Sequence, residues 1–449
     1  MSQVRPGDLD INYGTKGDGI ARIPPQNQLN PDARSFQILP SAGGSDGSVA
    51  IYGNNPDDPD REYNFFGRIN ADGTWDAETG YVPLSKNQQN PMPDGFEQFS
   101  TLVQTSSNPD DGYLTAGFVY KFDGELYEGG VAVGRYDRNF SPWENFGDDG
   151  IAHTLKMSAS SPSVPAPAAP KPTSDPAGAL SPKAIYYIAT PQVALVNNLI
   201  RVVYTFYNPV DDTSEVWCAL FKPETGEPAF GLGQEQDKSQ LKLPEIQGDT
   251  LRVMRCTFLS DGSFYLLATT GQRIHLLRFQ SNAELDLTFA NGTGYITRPS
   301  GSGAGLAVSE DSVVFTTSAN WNAALPDDTE LYGFNHEGLP IDKFTRSFSM
   351  DNGNLALPWI AFDSEDRLIL AGHRFYFPDH ENMVHAQIHV ARLTPDGDLD
   401  SNFGEGGFTA PHPYLWETTG LFVNGRDIRV LTSMPPVGQI YEMLARYVA

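Results

Sequence analysis

Apolar positions along this chain fall in short runs, each cut off by Gly, Pro, Asn, Asp or Ser. Residues 251–298 show the arrangement. Leu251–Leu259 reads as a strand, Ser260 to Gly262 as a turn, and Phe264–Ala268 as a second strand. Thr270-Gly271 breaks the chain before a third strand, Arg273–Phe279; a polar motif then leads to a fourth, Gly294–Arg298. The same order predicts strands at Trp359–Phe362, Leu368–Phe375, Val384–Leu393 and Phe408–Ala410. The elements predicted are therefore short antiparallel strands, four to a unit.

The polar motif recurs. Its clearest copy is 391–407, ARLTPDGDLDSNFGEGG, and its core returns as GDLDINYG at 7–14. Looser copies occupy 67–76, 134–147, 220–231, 277–286 and 332–338. Aligned on one turn residue (Gly7, Gly73, Asn139, Gly226, Ala283, Gly338 and Gly397), the spacings are 66, 66, 87, 57, 55 and 59 residues. From Gly397 through the C-terminus and on to Gly7 is a further 59. The long interval contains the Pro/Ala-rich stretch 158–182; without its 25 residues it shrinks to 62. Seven four-stranded units of about 60 residues predict an all-β, seven-bladed β-propeller in one domain spanning 1–449, with 158–182 as a loop insertion. The last run, Ile440–Val448, matches a third strand, and the chain opens inside the motif that should follow. The closing blade is thus expected to take three strands from the C-terminus and its fourth, near Gly19–Ile23, from the N-terminus. This closure leaves no open sheet edge.

The motif, with Arg-Leu, Asp-Gly, Leu-Asp and Phe-Gly-x-Gly-Gly, resembles the bacterial delta-60 repeat. The match is close at 391–407, fair at 7–17 and 277–286, and degenerate elsewhere. The resemblance implies a propeller built of tandem repeats and brings no single biochemical activity with it.

Composition narrows the function classes. Gly (43) and Pro (34) are frequent and only 19% of residues are charged, which suits many turns; 39% hydrophobic content suffices for a substantial core. The net charge of −26 repels phosphate backbones and anionic lipid, so nucleic acid is not an expected partner. The most apolar stretch, Ala184 to Tyr204, is interrupted by Pro191, Asn197, Asn198 and Arg201, so no membrane insertion is expected. The opening MSQVRPGDLD lacks an apolar signal core, which points to a cytoplasmic protein or one exported without a Sec signal; a monomer is expected. Cys218 and Cys256 each sit in an apolar run; two cysteines make no framework, though one bridge between them stays open.

Candidate chemistry is sparse. Asp398, Asp400 and Asn402, like Asp8, Asp10 and Asn12, space oxygens at every second residue, as the opening of a calcium loop does. Phe403 and Tyr13 stand where such a loop needs Gly, and Asp and Asn also cap turns, so turn capping competes with calcium. Gly43-Gly-Ser-Asp-Gly47 fits a nucleophile-elbow pattern but lies between the first two strands of a unit, where a hairpin turn accounts for it. His373, His380, His385 and His389 crowd one unit; His373 and His385 could meet across its hairpin, with no third ligand fixed by spacing.

First strands of the units carry Gln37, Ser100, Val193, Arg252, Leu306, Trp359 and Leu421, with no recurring Asp, Glu or His. The expected function is therefore a non-catalytic binding or protein-interaction propeller. Alternatives are a metal-dependent hydrolase or lyase with its site at the channel mouth, or a single-site carbohydrate binder. The expected ligand, protein or carbohydrate, would meet Trp321, Tyr376, Tyr414 and Trp416, with Phe377 beside them. Asp327, Asp328, Asp379 and Glu381 line the same loops.

Overall fold

The computed structural model describes residues 5–23, 37–43, 48–54, 65–79, 82–83, 95–104, 112–122, 127–148, 150–158, 191–208, 213–246, 248, 251–270, 273–299, 305–318, 328–349, 354–376, 385–412, 417–433 and 442–448. Among these the chain is all-β. The first strand is β1, Ile20–Arg22. Sheet one then holds β2 (Gln37–Gly43), β3 (Val49–Asn54), β4 (Phe65–Ile69) and β5 (Val82–Pro83). Sheet two holds β6 (Gly95–Gln104), β7 (Tyr113–Phe122), β8 (Tyr127–Tyr136) and β9 (Ile151–Ser158). Sheet three holds β10 (Gln192–Val196), β11 (Leu199–Asn208), β12 (Thr213–Phe221) and β13 (Gln240–Lys242).

Sheet four holds β14 (Arg252–Phe258), β15 (Phe264–Thr269), β16 (Arg273–Phe279) and β17 (Tyr295–Pro299). Sheet five holds β18 (Leu306–Val308), β19 (Val313–Ser318), β20 (Thr329–Phe334) and β21 (Arg346–Phe348). Sheet six holds β22 (Asn354–Phe362), β23 (Leu368–Tyr376) and β24 (His385–Leu393). Sheet seven holds β25 (Glu417–Asn424), β26 (Asp427–Ser433) and β27 (Glu442–Tyr447), with β1 on its outer edge: Ile20 pairs with Ala445 and Arg22 with Met443. All pairings are antiparallel.

Sheet six differs from its expected form. The fourth strand shrinks to a single bridge between Ala391 and Phe408. Beyond it the Thr409 hydroxyl takes the Val390 N–H at 3.0 Å, a bond that a ladder would have given to a backbone carbonyl. Pro411 then offers no donor with which a ladder could resume. The hairpin register sets Tyr376 opposite His385 and His373 opposite Ile388, so His373 and His385 do not face one another. In the third motif copy the left-handed residue is Phe140 (φ 63°) rather than Asn139, because Phe140 is the residue whose N–H closes the turn on Asp137. The Pro/Ala-rich stretch lies outside the described residues, apart from Ser158 at the end of β9.

The sheets are buried on both faces, and the reason is visible strand by strand. Along β15, Phe264, Leu266 and Ala268 join a cluster shared with sheet three, whereas Tyr265 and Leu267 join one shared with sheet five. Period-two alternation here separates two cores rather than core from solvent. Seven apolar clusters result, one between each consecutive pair of sheets, and Tyr13, Ala21, Leu431 and Leu444 pack sheet seven on Val49, Ile51 and Ile69 of sheet one. Each large apolar side chain buried this way contributes about 1.5–3 kcal/mol. First strands also lie side by side: β2 with β6, β6 with β10, β10 with β14, β14 with β18, β18 with β22, β22 with β25, and β25 with β2.

The recurring motif works as a staple between sheets. In every copy one N–H returns to the end of the third strand at 2.9–3.0 Å: Asp76 to Arg68, Trp143 to Arg135, Ala229 to Leu220, Asp286 to Arg278, Ile341 to Gly333, Asp400 to Arg392 and Asp10 to Arg446. In six of the seven copies a buried plug sits three residues further on, Tyr13, Phe146, Leu232, Phe289, Phe344 or Phe403, with Thr79 in its place after Asp76. The residue after the plug donates its N–H to the next copy's turn: Gly14 to Asp72, Gly147 to Thr225, Gly233 to Asn282, Ala290 to Glu337 and Gly404 to Pro6. The motif arginines reach the same way, Arg68 to the Arg138 carbonyl, Arg135 to Pro223 and Arg278 to His336. At Gly397 (φ 84°) a Cβ would lie 1.7 Å from the Lys343 carbonyl oxygen, so this turn of sheet six admits only Gly against sheet five.

Candidate functional site

The aromatic patch expected from the loops falls almost wholly outside the described residues; Trp321, Asp327, Phe377, Asp379, Glu381, Tyr414 and Trp416 all do. Tyr376 is placed only as the last residue of β23. Asp328 is described, and its carboxylate accepts the Leu355 N–H at 3.1 Å, joining sheet five to sheet six. Of the nucleophile-elbow segment only Gly43, ending β2, is described.

The acidic motif residues have protein partners. Asp400 accepts from Arg392 Nε at 2.9 Å and from the Asn402 N–H at 3.0 Å. Asp10 faces Arg446 at 3.4 Å and accepts the Asn12 N–H, and Asp8 accepts the Arg5 N–H. Asp398 lies 3.7 Å from Arg346 and is exposed. Asp400 and Asp10 thus each cap a turn and face a guanidinium. Among the described residues no group of three His, Cys, Asp or Glu side chains is placed to hold a metal ion. Cys218 and Cys256 are both free thiols within one cluster, and burial pushes the Cys218 thiol up to about 12.

A different constellation lies between the first strands. Five of them carry a register shift: β2 between Pro40 and Gly43, β6 between Phe99 and Thr101, β14 between Val253 and Arg255, β22 between Ala356 and Trp359, and β25 between Thr418 and Gly420. Bulges re-aim side chains, and here they do so at three sheets that converge. The Arg255 guanidinium lies over the Trp359 ring, 4.7 Å from its centroid. Sheets four and six are not neighbours; β18 of sheet five stands between them, so the contact reaches past it. Trp359 donates its indole N–H to the Thr418 carbonyl of sheet seven at 3.2 Å. Thr418 in turn donates its hydroxyl to the Gly372 carbonyl, and its N–H reaches His373 Nδ1 at 3.5 Å.

Electrostatics single out Arg255. Its one hydrogen bond is to the Met254 carbonyl, at 2.9 Å, and it has no ion pair among the described residues. Desolvation alone lowers its pKa to about 10, so it stays charged at neutral pH. Its remaining N–H groups are not among the sealed, unpaired donors, unlike those of Arg392 and Arg429. Sequence reasoning found Trp359 on its first strand but missed Arg255. Pro358 within a strand was the available signal for a bulge.

A family model described as a β-propeller domain of unknown function (DUF5122) matches residues 386–403, most of β24 and the greater part of the clearest motif copy. No curated protein matches this chain. Among solved structures, prolyl oligopeptidase B from Galerina marginata, bound to a 35mer hydrolysis and macrocyclization substrate, is 10% identical with a TM-score of 0.45, covering 93% of this chain and 51% of its own. The β-propeller domain of the Trilobed protease from Pyrococcus furiosus is 10% identical at 0.37, covering 78% and 81%. A Trypanosoma rangeli sialidase mutant displaying trans-sialidase activity is 9% identical at 0.41, covering 92% and 54%. The chain spans about half the length of the oligopeptidase and the sialidase. All three are enzymes or domains of enzymes. Against these neighbours the expectation of a non-catalytic binding or protein-interaction propeller is corrected; at such identities the likeness bears on the fold alone.

Proposed function

We propose that the seven sheets are the blades of one delta-60-type β-propeller, closed by the pairing of β1 with β27, and that residues 158–182 form a loop insertion on it. We further propose that this propeller is the substrate-positioning part of an enzyme, with its site between the first strands. Support for the ring comes from the seven inter-sheet clusters and from first strands that neighbour one another all the way round. The functional reading is carried by one observation: Arg255 and Trp359 meet across β18, on bulges, with the indole N–H fixed to a third sheet. A flat ring and a permanent charge held by three blades can orient a substrate without reorganising.

The test is turnover by the full-length protein of a panel of peptide p-nitroanilides, p-nitrophenyl esters and p-nitrophenyl glycosides. At least one class is expected to be hydrolysed, and Trp359→Leu should lower kcat/KM for it by about 10–100-fold. A panel without turnover, or turnover indifferent to Trp359→Leu in a folded variant, overturns the enzymatic reading.

A further inference from the structure

The chain carries 56 Asp and Glu against 30 Lys and Arg, so a buried arginine has ample choice of carboxylates. Arg68, Arg278, Arg367, Arg392, Arg429 and Arg446 each take one, at 2.5–3.8 Å. Arg255, half-buried on the first strand of sheet four, takes none among the described residues. Its free donors reach solvent, so a ligand can take them up without first displacing a protein carboxylate. The geometry shows which part is left to complete. One Nη1 hydrogen goes to the Met254 carbonyl and Trp359 covers the plane, which leaves the edge formed by Nε and Nη2. Two parallel N–H donors on one edge match the two oxygens of a carboxylate.

We propose that Arg255 is the receptor for a carboxylate-bearing ligand whose flat or apolar body lies against Trp359. This deepens the reading of the axial site given above and rests on it for location, though not for catalysis. The neighbouring polar groups fit such a ligand. The Thr418 carbonyl is already satisfied by the indole, and His373, with its pKa lowered to about 4 by burial, is neutral and adds no competing charge.

The experiment is titration of the full chain with benzoate and with benzamide, its neutral isostere, followed by calorimetry and by tryptophan emission. Benzoate is expected to saturate a single site and to bind about tenfold or more tightly than benzamide. Arg255→Gln should weaken benzoate by about tenfold or more, while Arg255→Lys keeps part of the affinity because it keeps the charge and loses the fork. If Arg255→Gln does not fold, the benzoate-to-benzamide ratio of the parent decides. Equal affinity for the two compounds, an unchanged Arg255→Gln, or no benzoate binding by folded protein overturns the proposal. Saturable benzoate binding in a protein that turns over none of the chromogenic panel leaves the receptor standing and removes the enzymatic reading; turnover without benzoate binding does the reverse.

Discussion

His389 is buried in sheet six with neither ring nitrogen hydrogen-bonded, and burial together with the nearby Arg374 lowers its pKa to about 4. His373 is held at a similar value by burial alone. Both must stay neutral in the folded chain, while the unfolded chain takes up their protons near pH 6.5. Stability is therefore whole above pH 6.5 and is lost as the pH falls toward 4, by on the order of 3 kcal/mol for each histidine. The carboxylates with depressed pKa values, Asp18, Asp72, Asp76 and Asp261, add their loss only below their ordinary range near 3.8. The window from pH 6.5 to 4.5 thus belongs to the histidines. Urea unfolding across it should show a falling midpoint, and His389→Leu should make the fall shallower, His373 and the also depressed His412 carrying the rest. A midpoint flat with pH would mean that these rings reach water when charged. Nothing in the sequence announced this: a histidine in an apolar run reads alike whether or not a partner meets it.

At the scale of the element, the staple tolerates several chemistries in one geometry. Arg392 and Asp400 form a buried ion pair; Arg135 instead lies 4.0 Å over the Trp143 ring, and Leu220 faces Ala229 with no charge at all. The shared feature is the backbone bond, which fixes the turn whatever the side chains. Removing one charge strands the other, so Asp400→Ala should cost about 3–5 kcal/mol. Arg392→Leu combined with Asp400→Ala copies the third sheet and should recover most of that loss in urea unfolding. A double variant no better than Asp400→Ala would mean that the charge pair, not the backbone turn, sets the staple. The motif was legible because Gly, Asp and Asn have strict turn roles. Its third copy was misplaced by one residue because Phe140 takes a left-handed conformation that sequence reserves for Gly or Asn. The axial bulges were less legible still. Contact between Arg255 and Trp359 depends on two side chains reaching past an intervening strand, which no local pattern encodes.

For the whole molecule, periodicity revealed the seven sheets, since each unit repeats the same sequence of strands and turns at a nearly constant length. Loops that carried the expected aromatic patch follow no period, and the binding function read from them was the part corrected. On the closed-ring reading, residues 5–23 supply the outer strand of the last blade, the Tyr13 plug and the partner of Arg446. Deleting them should abolish cooperative thermal unfolding or cause aggregation, because β27 is left as an unpaired edge. A truncated chain that melts like the parent refutes closure. One more consequence follows from the bonds at this seam. Gly7 donates to the Val448 carbonyl and Val448 to that of Asp8, at 2.7 and 2.9 Å. Gly7 and Val448 thus sit side by side at one seam. Chain arriving at Gly7 and chain departing from Val448 share one address, so a probe inserted just before Gly7 and one inserted just after Val448 should report the same surroundings.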